Sequence, residues 1–201
     1  MKEQTHEVCL EAIKGNYEAI KYVREQTDEL CLEAVRKNGR AFQFVKKQTE
    51  AICLEAVRRK PYNLELIHNQ TREVCLEAVR QNGVMLEYVR KQTPEICLEA
   101  VRQNGYALKY VKEQTYEICL EAVRNVGFAL QYVIEQTHGL CVEAVKRNST
   151  ALEYVKEQTY DICLEAVRDS AAAIQYVKEQ TPELCMAAYE QNPEVEKYFK
   201  L

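Results

Sequence analysis

A cysteine recurs every 22 residues along this chain, and that strict period constrains the fold more than any other feature. A glutamine–threonine pair recurs in the same register, with the threonine four residues before each cysteine. Periods of about 20–50 residues are typical of tandem arrays, in which each repeat buries its apolar face against its neighbours. The chain therefore consists of nine copies of one repeat, which begin at Thr5, Thr27, Thr49, Thr71, Thr93, Thr115, Thr137, Thr159 and Thr181.

Each repeat predicts two short helices separated by a tight turn. The recurrent threonine is a good N-cap, and proline follows it directly in two repeats, at the first helical position where proline is tolerated. In the repeat Thr93–Gln114, helical spacing puts four residues on one side of the first helix: Ile96, Cys97, Ala100 and Val101. Asn104-Gly105 then breaks the helix, and the asparagine is expected to cap a second one. We expect the buried side of that second helix to consist of Ala107, Leu108, Tyr110 and Val111.

Two other architectures share features of this pattern. Leucine-rich repeats have a similar period, but they need a strand with leucine at fixed alternating places, and Glu77 occupies one of these places here. A continuous coiled coil is excluded by Pro61 and by the Asn-Gly breaks. The sequence therefore predicts an all-α fold, an α-solenoid of nine 22-residue helix–turn–helix repeats with about 18 short helices, forming a single domain over residues 1–201.

The repeated string E-x-C-L-E-A-V-x-x-N-G-x-A-L-x-Y-V-x-x-Q-T resembles the helical repeats known as domain of unknown function 4116. The resemblance extends from Gln4 to about Tyr198, with departures in the third repeat around Pro61 and in the ninth around Met186. It implies an all-helical tandem array. It implies no assigned activity and supplies no catalytic residues.

The recurrent cysteines are expected to be structural. Each lies between an apolar residue and an alanine expected to be buried, where a free thiol behaves as a small hydrophobic group. Neighbouring helices lie about 8–10 Å apart, beyond the roughly 7 Å between α-carbons that a disulfide allows. The chain has no Cys-x-x-Cys or Cys/His spacing typical of a metal site. We therefore predict reduced thiols, no metal, no cofactor and a cytoplasmic protein.

Charge and chemistry exclude several function classes. The 27 basic and 31 acidic side chains give a net charge of −4, which disfavours a general binder of nucleic-acid backbones. No apolar run is long enough for a membrane span. The three histidines occupy unrelated repeat positions, so no nucleophile–base–carboxylate set can be assembled, and the sequence predicts no catalytic residue and no enzyme.

A second recurrent pair has opposite charges. Eight repeats carry a glutamate followed three residues later by arginine or lysine, as in Glu99 and Arg102. This spacing places both side chains on one helix face. Stacked repeats would align these pairs into a charge ladder with pairing between repeats. An anion-binding groove of arginines is the alternative interpretation.

Candidate binding residues are found where the repeats differ, because a stack needs only its constant positions. Repeats three to six carry apolar side chains after the glycine position. In repeat six, apolar residues also replace the usual asparagine and the usual basic residue, and a tyrosine follows the capping threonine. The predicted partner site therefore consists of Tyr62, Val84, Tyr106, Tyr116, Val126, Phe128 and Ile134.

The sequence thus favours a non-catalytic repeat scaffold that binds another protein through a variable surface. The alternative is a helical-repeat protein that binds single-stranded nucleic acid. Basic residues recur at one repeat position that could follow phosphates: Arg24, Lys46, Arg90, Lys112, Lys156 and Lys178. End-to-end self-association is a further expectation, because the first repeat has no preceding neighbour to cover Val8, Cys9 and Ile13. At the other end, an apolar set closes the chain: Val195, Tyr198, Phe199 and Leu201.

Overall fold

In the computed structural model, which describes residues 4–200, every repeat folds into a ten-residue α-helix followed by a six-residue 3-10 helix. The α-helices are α1 (His6–Gly15), α2 (Asp28–Lys37), α3 (Glu50–Arg59), α4 (Arg72–Gln81), α5 (Pro94–Gln103), α6 (Tyr116–Asn125), α7 (His138–Arg147), α8 (Tyr160–Asp169) and α9 (Pro182–Gln191). The 3-10 helices are η1 (Tyr17–Tyr22), η2 (Gly39–Phe44), η3 (Pro61–Leu66), η4 (Gly83–Tyr88), η5 (Gly105–Tyr110), η6 (Gly127–Tyr132), η7 (Ser149–Tyr154), η8 (Ala171–Tyr176) and η9 (Pro193–Tyr198). Residues 4–200 contain no strand, so the predicted all-α array of 18 short helices is confirmed and the leucine-rich alternative is excluded.

The repeats are grouped into two compact units, residues 1–103 and 104–201, and the boundary falls between α5 and η5. Within each unit, successive α-helices pack side by side in one layer and successive 3-10 helices pack in a second layer. Each α-helix also contacts the 3-10 helices of its own and the preceding repeat inside its unit. The prediction of a single domain concerns both units together and stays a prediction.

The α-helices begin and pack as their sequence predicts. In seven of the nine repeats the threonine hydroxyl accepts a hydrogen bond from the backbone N–H three residues later, as Thr115 does from Ile118 at 3.3 Å. The predicted inner side of α5 is fully buried: Ile96, Cys97, Ala100 and Val101. Burial of this recurrent stripe supplies the driving force for stacking, because short helices are marginal in water on their own.

The second helix of each repeat is a 3-10 helix, and its geometry explains one wrong prediction. Six residues at about 2.0 Å each span about 12 Å, close to the roughly 15 Å of the ten-residue α-helix, whereas six α-helical residues would span only about 9 Å. Three residues per turn place Gly105, Leu108 and Val111 on one buried side, together with Ala107. Tyr110 is only half-buried. The prediction that it lies in the core used α-helical spacing, and 3-10 spacing turns Tyr110 away from the buried side.

The recurrent asparagine caps this helix, as predicted. In six repeats its side-chain oxygen accepts from the backbone N–H two residues later, at 3.0–3.3 Å. Repeats three, six and eight carry Lys60, Val126 and Ser170 there, and these side chains make no capping hydrogen bond.

The glutamine that ends each repeat joins it to the next one. The Gln136 side-chain nitrogen donates to the carbonyl oxygens of Leu130 in its own repeat, at 3.1 Å, and of Tyr154 in the following repeat, at 2.9 Å. Its side-chain oxygen accepts from the backbone N–H of Lys156 at 2.9 Å and from the Cys141 thiol at 3.8 Å. Four more glutamines make the same four contacts: Gln26, Gln70, Gln158 and Gln180. The glutamine of the recurrent Gln-Thr pair therefore satisfies backbone groups at the joints between repeats.

Glycine at the start of the 3-10 helix allows the next α-helix to approach closely. A Cβ added at Gly105 would lie 2.5 Å from the carbonyl oxygen of Ala122, and one at Gly127 would lie 2.7 Å from that of Ala144. None of the described glycines has a positive φ, so the requirement is for space rather than for backbone conformation. Ala171 occupies the same repeat position, which shows that the neighbouring helix can give way.

Replacing Gln136 with leucine should lower the free energy of unfolding by about 2–4 kcal/mol, because three hydrogen bonds involving backbone groups are lost at about 1 kcal/mol each. Urea denaturation followed by circular dichroism measures this change. The matched control is Gln131→Leu on the exposed side of η6, where Gln131 makes one local hydrogen bond to the Phe128 carbonyl. Equal stability losses in the two variants would contradict the joining role of Gln136.

Replacing Gly105 with alanine should lower the free energy of unfolding by about 1–3 kcal/mol, since the added methyl group forces α6 to move. Gly139→Ala is the contrasting variant, because Gly139 is exposed in the first turn of α7 and its Cβ would meet only the Tyr116 hydroxyl, at an ordinary 3.5 Å. That variant should raise stability by up to about 1 kcal/mol through helix propensity. Thermal unfolding distinguishes the two directions.

Candidate functional site

The nine cysteines are all buried and unpaired, as predicted. Seven thiols donate to the glutamine oxygen five residues earlier, at sulfur–oxygen distances of 3.5–4.0 Å. The sequence did not predict this hydrogen bond, because the cysteine was expected to act only as a small hydrophobic group. No group of three or more potential metal ligands occurs among the described residues. The cysteines therefore belong to the joints between repeats.

Burial raises the pKa of the Cys31, Cys53 and Cys75 thiols to about 11. Burial is also the largest cause of the raised pKa of Cys119, Cys141 and Cys163. A raised pKa means that the folded state favours the neutral thiol. Its contribution to stability is therefore complete below the ordinary thiol pKa near 9 and is lost as pH rises through about 11.

The charge ladder runs between repeats. Arg58 pairs with Glu77 at 3.5 Å, Arg80 with Glu99 at 3.0 Å and Arg124 with Glu143 at 3.2 Å. The predicted pairing between repeats is thereby confirmed for these three arginines. The arginines are exposed and the glutamates half-buried, and surface pairs of this kind contribute about 0–1 kcal/mol each. Because a carboxylate already lies beside each guanidinium, the ladder is a poor anion groove.

The recurrent basic position is also used inside the stack. The Lys156 ammonium donates to the carbonyl oxygens of Val133 and Ile134, at 3.4 and 2.8 Å, and Lys178 repeats this contact with Val155 and Lys156, at 2.9 and 2.8 Å. Lys46 makes the equivalent bonds in the first unit. These cations therefore satisfy the carbonyls that follow the preceding 3-10 helix.

The structure divides the predicted partner residues between two surfaces. Tyr62, Tyr106, Tyr116 and Ile134 are exposed, with 48, 39, 56 and 65% of their surfaces accessible, whereas Val84, Val126 and Phe128 are half-buried. The first surface, called here the aromatic face, is the side of the 3-10 helices that carries Tyr62 and Val84 in the first unit and Tyr106, Val126 and Phe128 in the second unit. The second, called here the threonine edge, carries Tyr116 and Ile134 and is where α-helices begin and 3-10 helices end.

On the aromatic face, the variable side chains pack against the tyrosine that ends the next 3-10 helix. Ring centroids lie 6.1 Å apart in Tyr62–Tyr88, 6.4 Å in Tyr106–Tyr132 and 5.9 Å in Phe128–Tyr154, all edge to face. Such pairs contribute about 0.5–1.5 kcal/mol beyond area burial. The aromatic residues therefore stabilise neighbouring repeats while still presenting part of each ring to solvent.

On the threonine edge, Tyr116 and Ile134 line one cavity of about 260 Å³, together with Leu140 from the next repeat. Tyr106, Val126 and Phe128 are not among its lining residues, because the length of η6, about 12 Å, separates its first turn from Ile134. The seven predicted residues therefore do not share one surface. The cavity on the threonine edge brings together Tyr116 and Ile134, which are eighteen positions apart in sequence.

Similar cavities recur along the threonine edge of residues 104–201. The next two, about 280 and 350 Å³, are lined in turn by His138, Lys156 and Glu157, and by Tyr160, Lys178 and Glu179. One cavity of the first unit, about 310 Å³, has His6, Arg24 and Glu25 in the equivalent places. The sequence predicted Tyr116 and Ile134 as binding residues but did not predict this series of cavities.

The first repeat was expected to leave Val8, Cys9 and Ile13 uncovered, and this expectation is wrong for two of the three residues. Val8 is 59% exposed, but Cys9 and Ile13 are buried, because they face α2 and η1 rather than the side where a preceding repeat would lie. In the ninth repeat Val195 is buried and Tyr198 and Phe199 are half-buried, while Leu201 lies outside the described residues. End-to-end association stays a prediction.

A thiol-reactive dye at pH 8 should label the folded protein much more slowly than the urea-unfolded chain, in which all nine cysteines react. The physical reason is that burial blocks access and that the raised thiol pKa leaves little reactive thiolate. Absorbance against time gives both rates. Rapid labelling of several cysteines in the folded protein would contradict the buried, neutral state.

Comparison with known proteins identifies the repeat. The sequence profile of the family described as "Domain of unknown function (DUF4116)" matches residues 5–48, 27–72, 49–93, 71–115 and 93–137, so that each match spans two 22-residue repeats. No curated protein and no solved structure matches the chain. Among the described residues, no helix is long and apolar enough to cross a membrane.

Proposed function

Because the chain belongs to the DUF4116 family of tandem repeats, for which the family description gives no function, we propose its role from the geometry: a scaffold without chemistry of its own that binds another protein through its variable surface. The observation that carries this proposal is that constant and variable repeat positions make different contacts. The constant cysteine, alanine, valine and glutamine positions are occupied by contacts within the stack, whereas variable positions hold exposed tyrosines and isoleucine.

Exposed aromatic side chains support a protein partner. Tyr62, Tyr106, Tyr116 and Tyr160 each leave about two fifths or more of their surface accessible, and tyrosine is enriched among residues that dominate protein interfaces. On the aromatic face, edge-to-face contacts already order Tyr106 and Phe128. Binding there would lose less side-chain entropy than binding through flexible residues.

The nucleic-acid alternative receives less support. The lysines that were candidates to follow phosphates, Lys46, Lys156 and Lys178, donate to backbone carbonyls of the preceding repeat. Glutamates pair with the arginines of the charge ladder. The net charge of −4 opposes approach of a polyanion. Binding of random-sequence RNA that falls steeply with salt concentration would favour the alternative.

The substitution Phe128→Glu should weaken binding of the natural partner by about 30-fold, equivalent to about 2 kcal/mol, because it places a charge in the aromatic face. The partner would be captured from the source cell with the wild-type protein and then titrated against each variant. Met186→Glu, on the exposed side of α9, is the control that replaces an exposed apolar residue outside both surfaces with the same charge, and it should change affinity less than twofold.

Circular dichroism must show unchanged helicity for the Phe128 variant, since its ring also packs against Tyr154. Failure of Phe128→Glu to fold would assign this residue to the core and contradict its role in binding. Equal affinity of wild type and variant would place the partner elsewhere.

A further inference from the structure

We propose that the threonine edge of residues 104–201 is a groove for an extended, arginine-containing segment of a partner protein. This inference deepens the proposed function and rests on it. The groove consists of the three consecutive cavities at the junctions of α6 with α7, α7 with α8 and α8 with α9.

The repeat spacing suits an extended peptide. Packed helices lie about 8–10 Å apart, and an extended chain in the polyproline II conformation advances about 3.1 Å per residue with three residues per turn. Every third residue of a bound segment would therefore face the next cavity. Each cavity, at about 260–350 Å³, has room for one long side chain.

Each end of the groove pairs an aromatic ring with a carboxylate. Tyr116 and Glu135 line the first cavity, and Tyr160 and Glu179 line the third. Both rings are more than half exposed, so their faces are accessible. A guanidinium between a tyrosine ring and a carboxylate gains cation–π attraction and a charge-assisted hydrogen bond, and its planar group suits both.

The carboxylates of the groove are available to a ligand. Glu135, Glu157 and Glu179 lie one after another in the three cavities, and none of them forms an ion pair with a described residue. They are all exposed. Uncompensated negative charges at regular spacing complement a segment with regularly spaced cations.

The second unit as a whole is also negatively charged. Residues 104–201 carry ten basic and fifteen acidic side chains, a net charge of −5, whereas residues 1–103 carry a net charge of +1. The position of Glu135 is acidic in four successive repeats of the second unit: Glu113, Glu135, Glu157 and Glu179. In the first unit the same position holds Glu25, Lys47, Asn69 and Lys91. The charge pattern thus favours a cationic ligand in the second unit alone.

Two features oppose a cation, and both are compensated. The N-termini of α6 and α7 carry partial positive charge, but the hydroxyls of Thr115 and Thr137 cap them. The first turns of α6, α8 and α9 also carry full negative charges, on Glu117, Asp161 and Glu183. The ammonium groups of Lys156 and Lys178 donate to backbone carbonyls, and neither forms an ion pair with Glu157 or Glu179.

The test uses a fluorescein-labelled nine-residue peptide with arginine at its first, fourth and seventh positions and serine elsewhere. Fluorescence anisotropy at physiological salt should show binding at least tenfold tighter than for a peptide of the same composition with its three arginines contiguous. Tyr160→Ala and Glu157→Gln should each weaken binding about fivefold or more.

Matched controls lie outside the groove. Tyr62→Ala removes an equally exposed tyrosine from the aromatic face, and Glu153→Gln removes an exposed carboxylate from η7. Both should change peptide affinity less than twofold. Equal losses in the control and groove variants, equal binding of the contiguous-arginine peptide, or no binding of the spaced peptide would overturn the groove.

Failure of the groove is distinguishable from failure of the scaffold. If the natural partner binds the wild type, loses affinity with Phe128→Glu and is unaffected by Tyr160→Ala and Glu157→Gln, the groove proposal is wrong and the scaffold proposal stands. If the natural partner loses affinity with Tyr160→Ala and Glu157→Gln, and the spaced peptide competes with it, the groove proposal is confirmed.

Discussion

The side-chain amide at the end of each repeat is the contact on which the stack depends. Backbone groups that end a helix have no partner within it, and leaving them unpaired in a joint is costly. Gln136 satisfies carbonyls of two successive repeats and one backbone N–H with a single planar group. Only an amide offers two donors and an acceptor in this arrangement. This requirement explains why glutamine recurs at the joint, and why a thiol that can donate to its oxygen lies beside it.

The pairing of an α-helix with a 3-10 helix follows from length. Sixteen helical residues return the chain to the edge from which it started, because the larger rise per residue of a 3-10 helix lets six residues nearly match the length of ten α-helical ones. The next α-helix then approaches Gly105 so closely that a side chain there would displace it. The strict 22-residue spacing therefore has a geometric cause, because an added residue would move every following joint out of register.

The surfaces proposed for partner binding are those that remain after the joints are satisfied. The arginine–glutamate ladder and the lysine–carbonyl bonds use charged residues that resemble ligand-binding groups in sequence. The aromatic face and the threonine edge retain exposed rings and carboxylates beyond what stacking needs. Proteins of this architecture change their ligand by changing such residues, since each repeat keeps its contacts to its neighbours.

The sequence alone determined the period, the helix pair, the threonine and asparagine caps and the buried cysteines, because each depends on contacts within one repeat or on identical contacts between repeats. It also identified Tyr116 and Ile134 as exceptions to the pattern. It did not place Tyr110, since the half-burial of that ring follows from 3-10 geometry that only the packed length decides.

Only the tertiary structure decided which exceptional residues share a surface. Tyr116 and Ile134 meet across a cavity because one begins an α-helix and the other follows a 3-10 helix at the same edge. Phe128 and Tyr106 belong to the aromatic face, because they lie in the first turns of their 3-10 helices and contact the tyrosine of the next repeat. Sequence spacing gives the position of a residue within its repeat. Which residues share a surface depends on how the α-helical layer and the 3-10 layer pack together, and only the folded stack decides that.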